Sequence, residues 1–171
     1  FIGTECRNAG NMPEVPRNSG GSSAVDSENC PRCVMPVSKS FAQRAIIAAA
    51  LAEGKSRLHG YTPCGDNEAA LQVARNLGAE IEQDGNMLTI KGISARLGGL
   101  DHETLHVGES GLLTRMMIPV MAQLGSRPVT FTGEKTLLGR PLTGAREIVE
   151  ALGGKIQNYN ETVQDDSPVR V

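Results

Sequence analysis

From Val37 onward, apolar and polar positions fall into helical and strand periods. Ser40-Phe41-Ala42-Gln43 has the form of a capping box, S-x-x-Q. It predicts an apolar helix from Ser40 to about Glu53, with Gly54 suited to the left-handed stop beyond it. A strand is expected near residues 57–61. Asp66 suits the cap of a second helix, in which Ala70, Val73, Ala74 and Leu77 share one face and Gly78 ends it. Residues 79–83 and 87–90 alternate as strands around Asp84-Gly85, a strong hairpin signal.

The second half follows the same plan. Residues 112–124 read as an apolar helix stopped by Gly125, and residues 129–132 as a strand. Ala145, Ile148, Val149 and Leu152 fall on one face of a further helix stopped by Gly153, and residues 155–158 and 169–171 read as closing strands.

The spacing points to a duplication. Arg44 and Arg115 stand 71 residues apart, as do Gly54 and Gly125, and Leu77-Gly78-Ala79-Glu80-Ile81 recurs 75 residues on as Leu152-Gly153-Gly154-Lys155-Ile156. The extra residues fall in the loop around 136–142. A repeat of this length is a supersecondary unit of helices and strands, longer than a solenoid repeat. Its helices are apolar enough to pack together with strands covering them. The expected fold class is therefore α/β, or α+β, built from two similar units over about 38–100 and 101–171.

Residues 1–34 carry no such period and are rich in Gly, Pro, Ser and Asn. They read as a flexible leader or an appended segment. Cys30-Pro31-Arg32-Cys33 lies there as a lone C-x-x-C, beside Cys6. A structural zinc site needs about four ligands, usually from a second pair, and a redox pair needs a strand before it. Incidental thiols are the simpler reading.

Composition narrows the classes. Apolar residues make up 39% of the 171, but with three Phe, two Tyr and no Trp the core must be aliphatic. The net charge of −2 gives no basic field for nucleic acid. No apolar run approaches the ~18 residues that span a bilayer, and the first residues do not resemble a signal peptide. A soluble, cytoplasmic protein with no nucleic-acid or membrane partner is expected.

Three stretches could carry chemistry. Pro36-Val37-Ser38-Lys39-Ser40-Phe41-Ala42-Gln43-Arg44 puts a lysine, two serines and an arginine at a helix start, where free N–H groups and the helix dipole favour an anion. A surface helix start with solvated cations reads the same residues as well. Gly108-Glu109-Ser110-Gly111-Leu112-Leu113-Thr114-Arg115 occupies the equivalent place in the second unit. Its glycines allow either a close approach of ligand to backbone or simply a tight turn. Thr132-Gly133-Glu134-Lys135-Thr136-Leu137-Leu138-Gly139-Arg140-Pro141 ends a strand in a loop whose arginine precedes a proline. Alone, that could be a surface arginine.

Taken in order, S-K-S-x-x-x-R, an aspartate at Asp66, G-x-S-G-x-x-x-R and T-G-E-x(5)-R-P resemble the 5-enolpyruvylshikimate-3-phosphate synthase family over residues 37–171. The resemblance implies the enolpyruvyl transferase (inside-out barrel) fold, with buried helices covered by short mixed β-sheets. It also implies transfer of the enolpyruvyl group of phosphoenolpyruvate to the 5-hydroxyl of shikimate 3-phosphate, in the cleft between two domains. By resemblance, Lys39 is catalytic and touches both substrates, and Ser40 and Arg44 contact shikimate 3-phosphate. Gly111, Arg115 and Arg140 line the phosphoenolpyruvate site. Asp66 is a placed acid near the cleft, for which a helix-cap role stands equally. No metal or organic cofactor is implied, and a monomeric parent is expected.

Two positions depart from the family pattern, which usually has Asn where Glu109 stands and Thr where Leu112 stands. A carboxylate beside two anionic substrates repels them unless it is neutralised, so Glu109 belongs among the possible site residues. The chain is further expected to be part of an N-terminal domain that lacks a third unit and a second domain, and so to be inactive by itself. A transferase acting on UDP-N-acetylglucosamine and a non-catalytic anion-binding module remain the alternatives.

Overall fold

The computed structural model describes residues 37–94, 104–124, 127–157 and 169–171. The leader at 1–34 with Cys6, Cys30 and Cys33, together with Pro36, the Gly125 stop and Asn158, lies outside the described residues.

Helix α1 spans Lys39–Leu51. Its N-cap is Ser38, whose Oγ accepts from the Phe41 amide at 3.3 Å, so the capping box expected at Ser40 does not form. An N-cap needs an extended backbone, which Ser38 has and Ser40, already inside the first turn, does not. Gln43 is thereby free to turn inward, onto the buried face with Ala42, Ile46, Ile47, Ala49 and Ala50. The C-terminal end of α1 is closed from outside. Amides of Ile93 and Ser94 donate to the carbonyls of Ala50 (2.8 Å) and Ala52 (3.0 Å), and the amide of Gly92 donates to Gly54 (3.0 Å). These bonds take up carbonyls that a helix end leaves unpaired.

Strand β1 (Lys55–His59) begins two residues earlier than the sequence suggested. Helix α2 (Gly65–Asn76) buries Ala70, Val73, Ala74 and Leu77, the face the periodicity predicts. Its N-cap is Cys64, which makes no side-chain capping bond; Asp66 lies within the first turn and does not cap. Strands β2 (Glu80–Asp84) and β3 (Met87–Lys91) form the expected hairpin, and β1, β3 and β2 make an antiparallel sheet in that order. Leu88 and Ile90 of β3 point into the core.

Strand β4 (Thr104–His106) was not anticipated; three residues are too few for a clear alternation. It is followed by α3 (Gly111–Leu124), β5 (Thr130–Thr132), a 3₁₀ turn over Lys135–Leu137, α4 (Ala145–Ala151) and β6 (Val169–Arg170). The second sheet runs β4-β5-β6. β4 and β5 are parallel and β5 and β6 antiparallel. The closing strand expected at 155–158 is reduced, among the described residues, to a single bridge at Gln157.

Two residues of the α4 face are not buried. Val149 is fully buried, yet Ile148 is 49% and Leu152 40% exposed. The helix meets α3 and the core along the Val149 edge of its apolar stripe, which turns the opposite edge outward. Otherwise one largely aliphatic core runs through both sheets, from Ile46, Leu71 and Leu88 to Leu113, Met117, Phe131 and Leu142. Among the described residues no helix is long and apolar enough to cross a membrane.

Candidate functional site

The parallel pairing of β4 and β5 sets the position of the site. It matches His106 with Thr132 at the strand ends, so the loops that follow both strands emerge on the same edge. Carboxyl ends of parallel strands are the usual place for ligands in such sheets. The two loops are tied together, because the Val107 amide donates to Thr132 O (2.9 Å) and the Glu134 amide to Gly108 O (2.9 Å).

Between these loops and the N-terminal ends of α1 and α2 lies an open cavity of about 570 Å³. Cys64, Gly65 and Asp66 bring the start of α2 to its wall, with the positive end of the helix dipole directed there. Lys39 enters from the first turn of α1, and His106, Glu134, Lys135 and Arg140 enter from the β4–β5 edge.

The structure brings Lys39, Asp66, Glu109 and Arg140 together around this cavity, whereas Ser40, Arg44, Gly111 and Arg115 do not line it. Lys39 Nζ pairs with Asp66 Oδ2 at 3.0 Å. Its pKa is raised, chiefly by that hydrogen bond and then by the aspartate's charge, while Arg140 nearby opposes the shift. The Lys39 side chain is 65% exposed, so the pair is screened and exchangeable, and an incoming anion can take Asp66's place.

Arg44 donates to Ser40 O at 3.1 Å within its own helix. Arg115 ties the start of its own helix to the loop after Arg140, donating to Gly111 O (3.0 Å) and Pro141 O (2.8 Å). It thus fixes the backbone immediately after Arg140. Gly111 lies under both guanidinium groups. A Cβ there would come within 2.8 Å of Arg115 Nη1 and 3.5 Å of Arg140 Nη1, so the missing side chain is what lets the two arginines approach α3.

Glu109 is held within the protein. Its Oε2 accepts from Thr136 Oγ1 (2.7 Å) and the Thr136 amide (3.4 Å), and its Oε1 pairs with Lys135 Nζ at 3.4 Å. The Thr136 hydroxyl is the chief cause that holds the carboxyl below the usual glutamate range; burial opposes it, and the Thr136 amide and Lys135 add to the lowering. Lys135 has φ +42, a left-handed backbone that a non-glycine residue adopts at some cost. Arg140 Nη2 donates to Thr136 Oγ1 at 3.1 Å, and among the described residues it makes no ion pair.

Sequence reasoning missed His106, Glu134, Lys135, Thr136 and Cys64. Three of them stand inside the Thr-Gly-Glu stretch, where only Arg140 drew attention. His106 could have been found from the apolar positions flanking it, Leu105 and Val107, which mark a short strand. It sits between Thr132 Oγ1 (3.1 Å) and Glu134 Oε1 (3.0 Å). Among the described residues no group of three or more His, Cys, Asp or Glu could hold a metal ion.

Chemically, the cavity offers Lys39, Lys135 and Arg140, a histidine and a helix N-terminus, against Asp66, Glu109 and Glu134. That set suits a small anion whose charge replaces a carboxylate's at Lys39 and draws on those donors of Arg140 that bond to none of the described residues.

Comparison with known proteins gives the family. The family model for EPSP synthase (3-phosphoshikimate 1-carboxyvinyltransferase) matches residues 32–170. A 3-phosphoshikimate 1-carboxyvinyltransferase of Bacillus licheniformis is 33% identical over 71% of this chain and 28% of its own length. One of Clostridium novyi is 36% identical over 74% of this chain and 30% of its own. The solved EPSP synthase of Acinetobacter baumannii superposes with a TM-score of 0.69 at 27% identity, over 80% of this chain and 30% of that one. The chain therefore spans about three tenths of the length of these relatives. With the family model covering most of its residues and the same fold in a solved member, the chain belongs to the EPSP synthase family.

Proposed function

We propose that this chain forms the phosphoenolpyruvate-facing wall of a 3-phosphoshikimate 1-carboxyvinyltransferase of the shikimate pathway. The observation that carries the reading is the cavity at the β4–β5 edge, where Lys39 and Arg140 meet the N-terminus of α2 in a chain of this family.

In the proposed reaction the 5-hydroxyl of shikimate 3-phosphate attacks C2 of phosphoenolpyruvate, and the tetrahedral intermediate then releases phosphate. Lys39 exchanges Asp66 for the substrate anion, and Arg140 directs its free N–H groups at the same anion. Arg115 acts from behind, holding the Gly111 and Pro141 carbonyls and with them the loop that carries Arg140. Ser40 and Arg44, beside Lys39 on α1, serve shikimate 3-phosphate from outside the cavity. Because the chain spans three tenths of its relatives, proton transfer and further cationic contacts are assigned to the remainder of the protein. The two units at 38–100 and 101–171 are inferred to be copies of one helix–strand plan, on the strength of the 71-residue spacing.

Calorimetry on the full-length protein tests the reading. Shikimate 3-phosphate should bind, phosphoenolpyruvate should bind in its presence, and UDP-N-acetylglucosamine should not. Binding of the nucleotide sugar in place of shikimate 3-phosphate would move the protein to the sister transferase.

A further inference from the structure

We propose that Glu109 is a positioning residue that aims Arg140 into the cavity through the hydroxyl of Thr136. The inference rests on the reading of Arg140 as an anion-binding side chain, and deepens it.

The direction of the hydrogen bonds carries the argument. An ionised carboxylate only accepts and a guanidinium only donates, whereas a hydroxyl has a single proton and lone pairs to spare. At 2.7 Å from Glu109 Oε2, Thr136 Oγ1 must give its proton to the carboxylate. Its lone pairs are then left for Arg140 Nη2, 3.1 Å away. The chain of bonds therefore runs one way, from guanidinium to hydroxyl to carboxylate, and each bond polarises the next. Thr136 itself is fixed twice over, because its amide also donates to Glu109, and the neighbouring Lys135 pairs with the other carboxylate oxygen.

The arrangement gives the acidic residue beside an anion site a use. Its charge is taken up by Thr136 and Lys135, and among the described residues only one of Arg140's two terminal nitrogens makes a hydrogen bond to the protein. An asparagine at this position could accept from Thr136 as well, but its amide nitrogen could equally donate to Oγ1 and displace Arg140. A carboxylate excludes that second arrangement.

Two readouts on the full-length protein test this. In protein labelled with ¹⁵N-arginine, without substrates, rotation of the Arg140 guanidinium should be restricted in the wild type and in Thr136→Ser. It should be released in Thr136→Val and in Glu109→Gln, with Arg140→Lys used to assign the signal. In steady state, Thr136→Val should raise KM for phosphoenolpyruvate about tenfold, the worth of one charge-assisted hydrogen bond. The kcat and the KM for shikimate 3-phosphate should not move, and Thr136→Ser should restore the wild-type value. Arg140 rotation that is the same in wild type and Thr136→Val would overturn the inference whether or not the enzyme is active. So would a Thr136→Val protein in which kcat and both KM values worsen together with a fall in melting temperature, since that marks general structural damage. Rotation released with no change in KM for phosphoenolpyruvate would uphold the positioning bonds and overturn the assignment of Arg140 to that substrate.

Discussion

Ser110 donates its hydroxyl proton to Oε1 of Gln43 across 2.6 Å, with both side chains buried. The bond joins α1 to the residue that precedes α3, across 67 residues of sequence. The same hydroxyl accepts from the Leu113 amide (3.1 Å), capping α3, and Gln43 Nε2 donates to Lys39 O (3.4 Å). One buried pair thus sets the backbone of Lys39 against the glycine loop of Glu109 and Gly111.

Removing the hydroxyl should be costly, because it orphans a buried amide oxygen and a helix-start N–H together. Ser110→Ala is expected to destabilise the full-length protein by about 1–3 kcal/mol in denaturant unfolding. A loss within about 0.5 kcal/mol, typical of surface changes, would show that the pair does not hold the two helices.

Gly92 offers a second test, of the fold rather than the site. A Cβ at this position would lie 2.2 Å from Ala52 O and 2.5 Å from Ala49 O, and neither carbonyl can move without breaking the end of α1. Gly92→Ala should therefore cost about 3 kcal/mol or more, the upper range for forced overpacking. A midpoint equal to wild type in the same unfolding experiment would contradict the packing of β3's exit against α1.

These relationships mark how far the sequence could be read. Apolar periodicity located α1, α3 and the buried face of α2, and Asp84-Gly85 located the hairpin, because those signals are local. The capping residues were misplaced, since Ser38 and Ser40 differ only in backbone conformation, and Cys64 stands where an oxygen cap was sought at Asp66. Ile148 and Leu152 looked like core because a stripe shows which side of a helix is apolar and not how far it rolls against its neighbour. Lys39 and Arg140 were legible as cations near helix and strand ends. The Glu109–Thr136–Arg140 bonds were not, because they depend on two loops brought side by side by a parallel strand pair.

The pH response of this loop follows from Glu109. Its folded pKa is lowered, chiefly by the Thr136 hydroxyl, so the stability it adds is fully present above the ordinary glutamate value of about 4.3 and is lost as pH falls through the lower folded value. The charged groups facing it are Lys135 and, through Thr136, Arg140. The Thr136 amide resonance should therefore hold steady from neutral pH down to about 4.3 and shift only below it. A shift centred above that value would mean that Glu109 is not held as a carboxylate by Thr136.

Phosphate release is the most direct test of the central claim. The full-length protein, given phosphoenolpyruvate and shikimate 3-phosphate together, should release phosphate, and with either substrate omitted it should not. Lys39→Met should lower kcat by about 10²-fold or more, the usual scale for losing one preorganised charge contact, while leaving the melting temperature unchanged, because Lys39 packs against no core. No phosphate release from the two substrates, or equal turnover in wild type and Lys39→Met, would contradict the account.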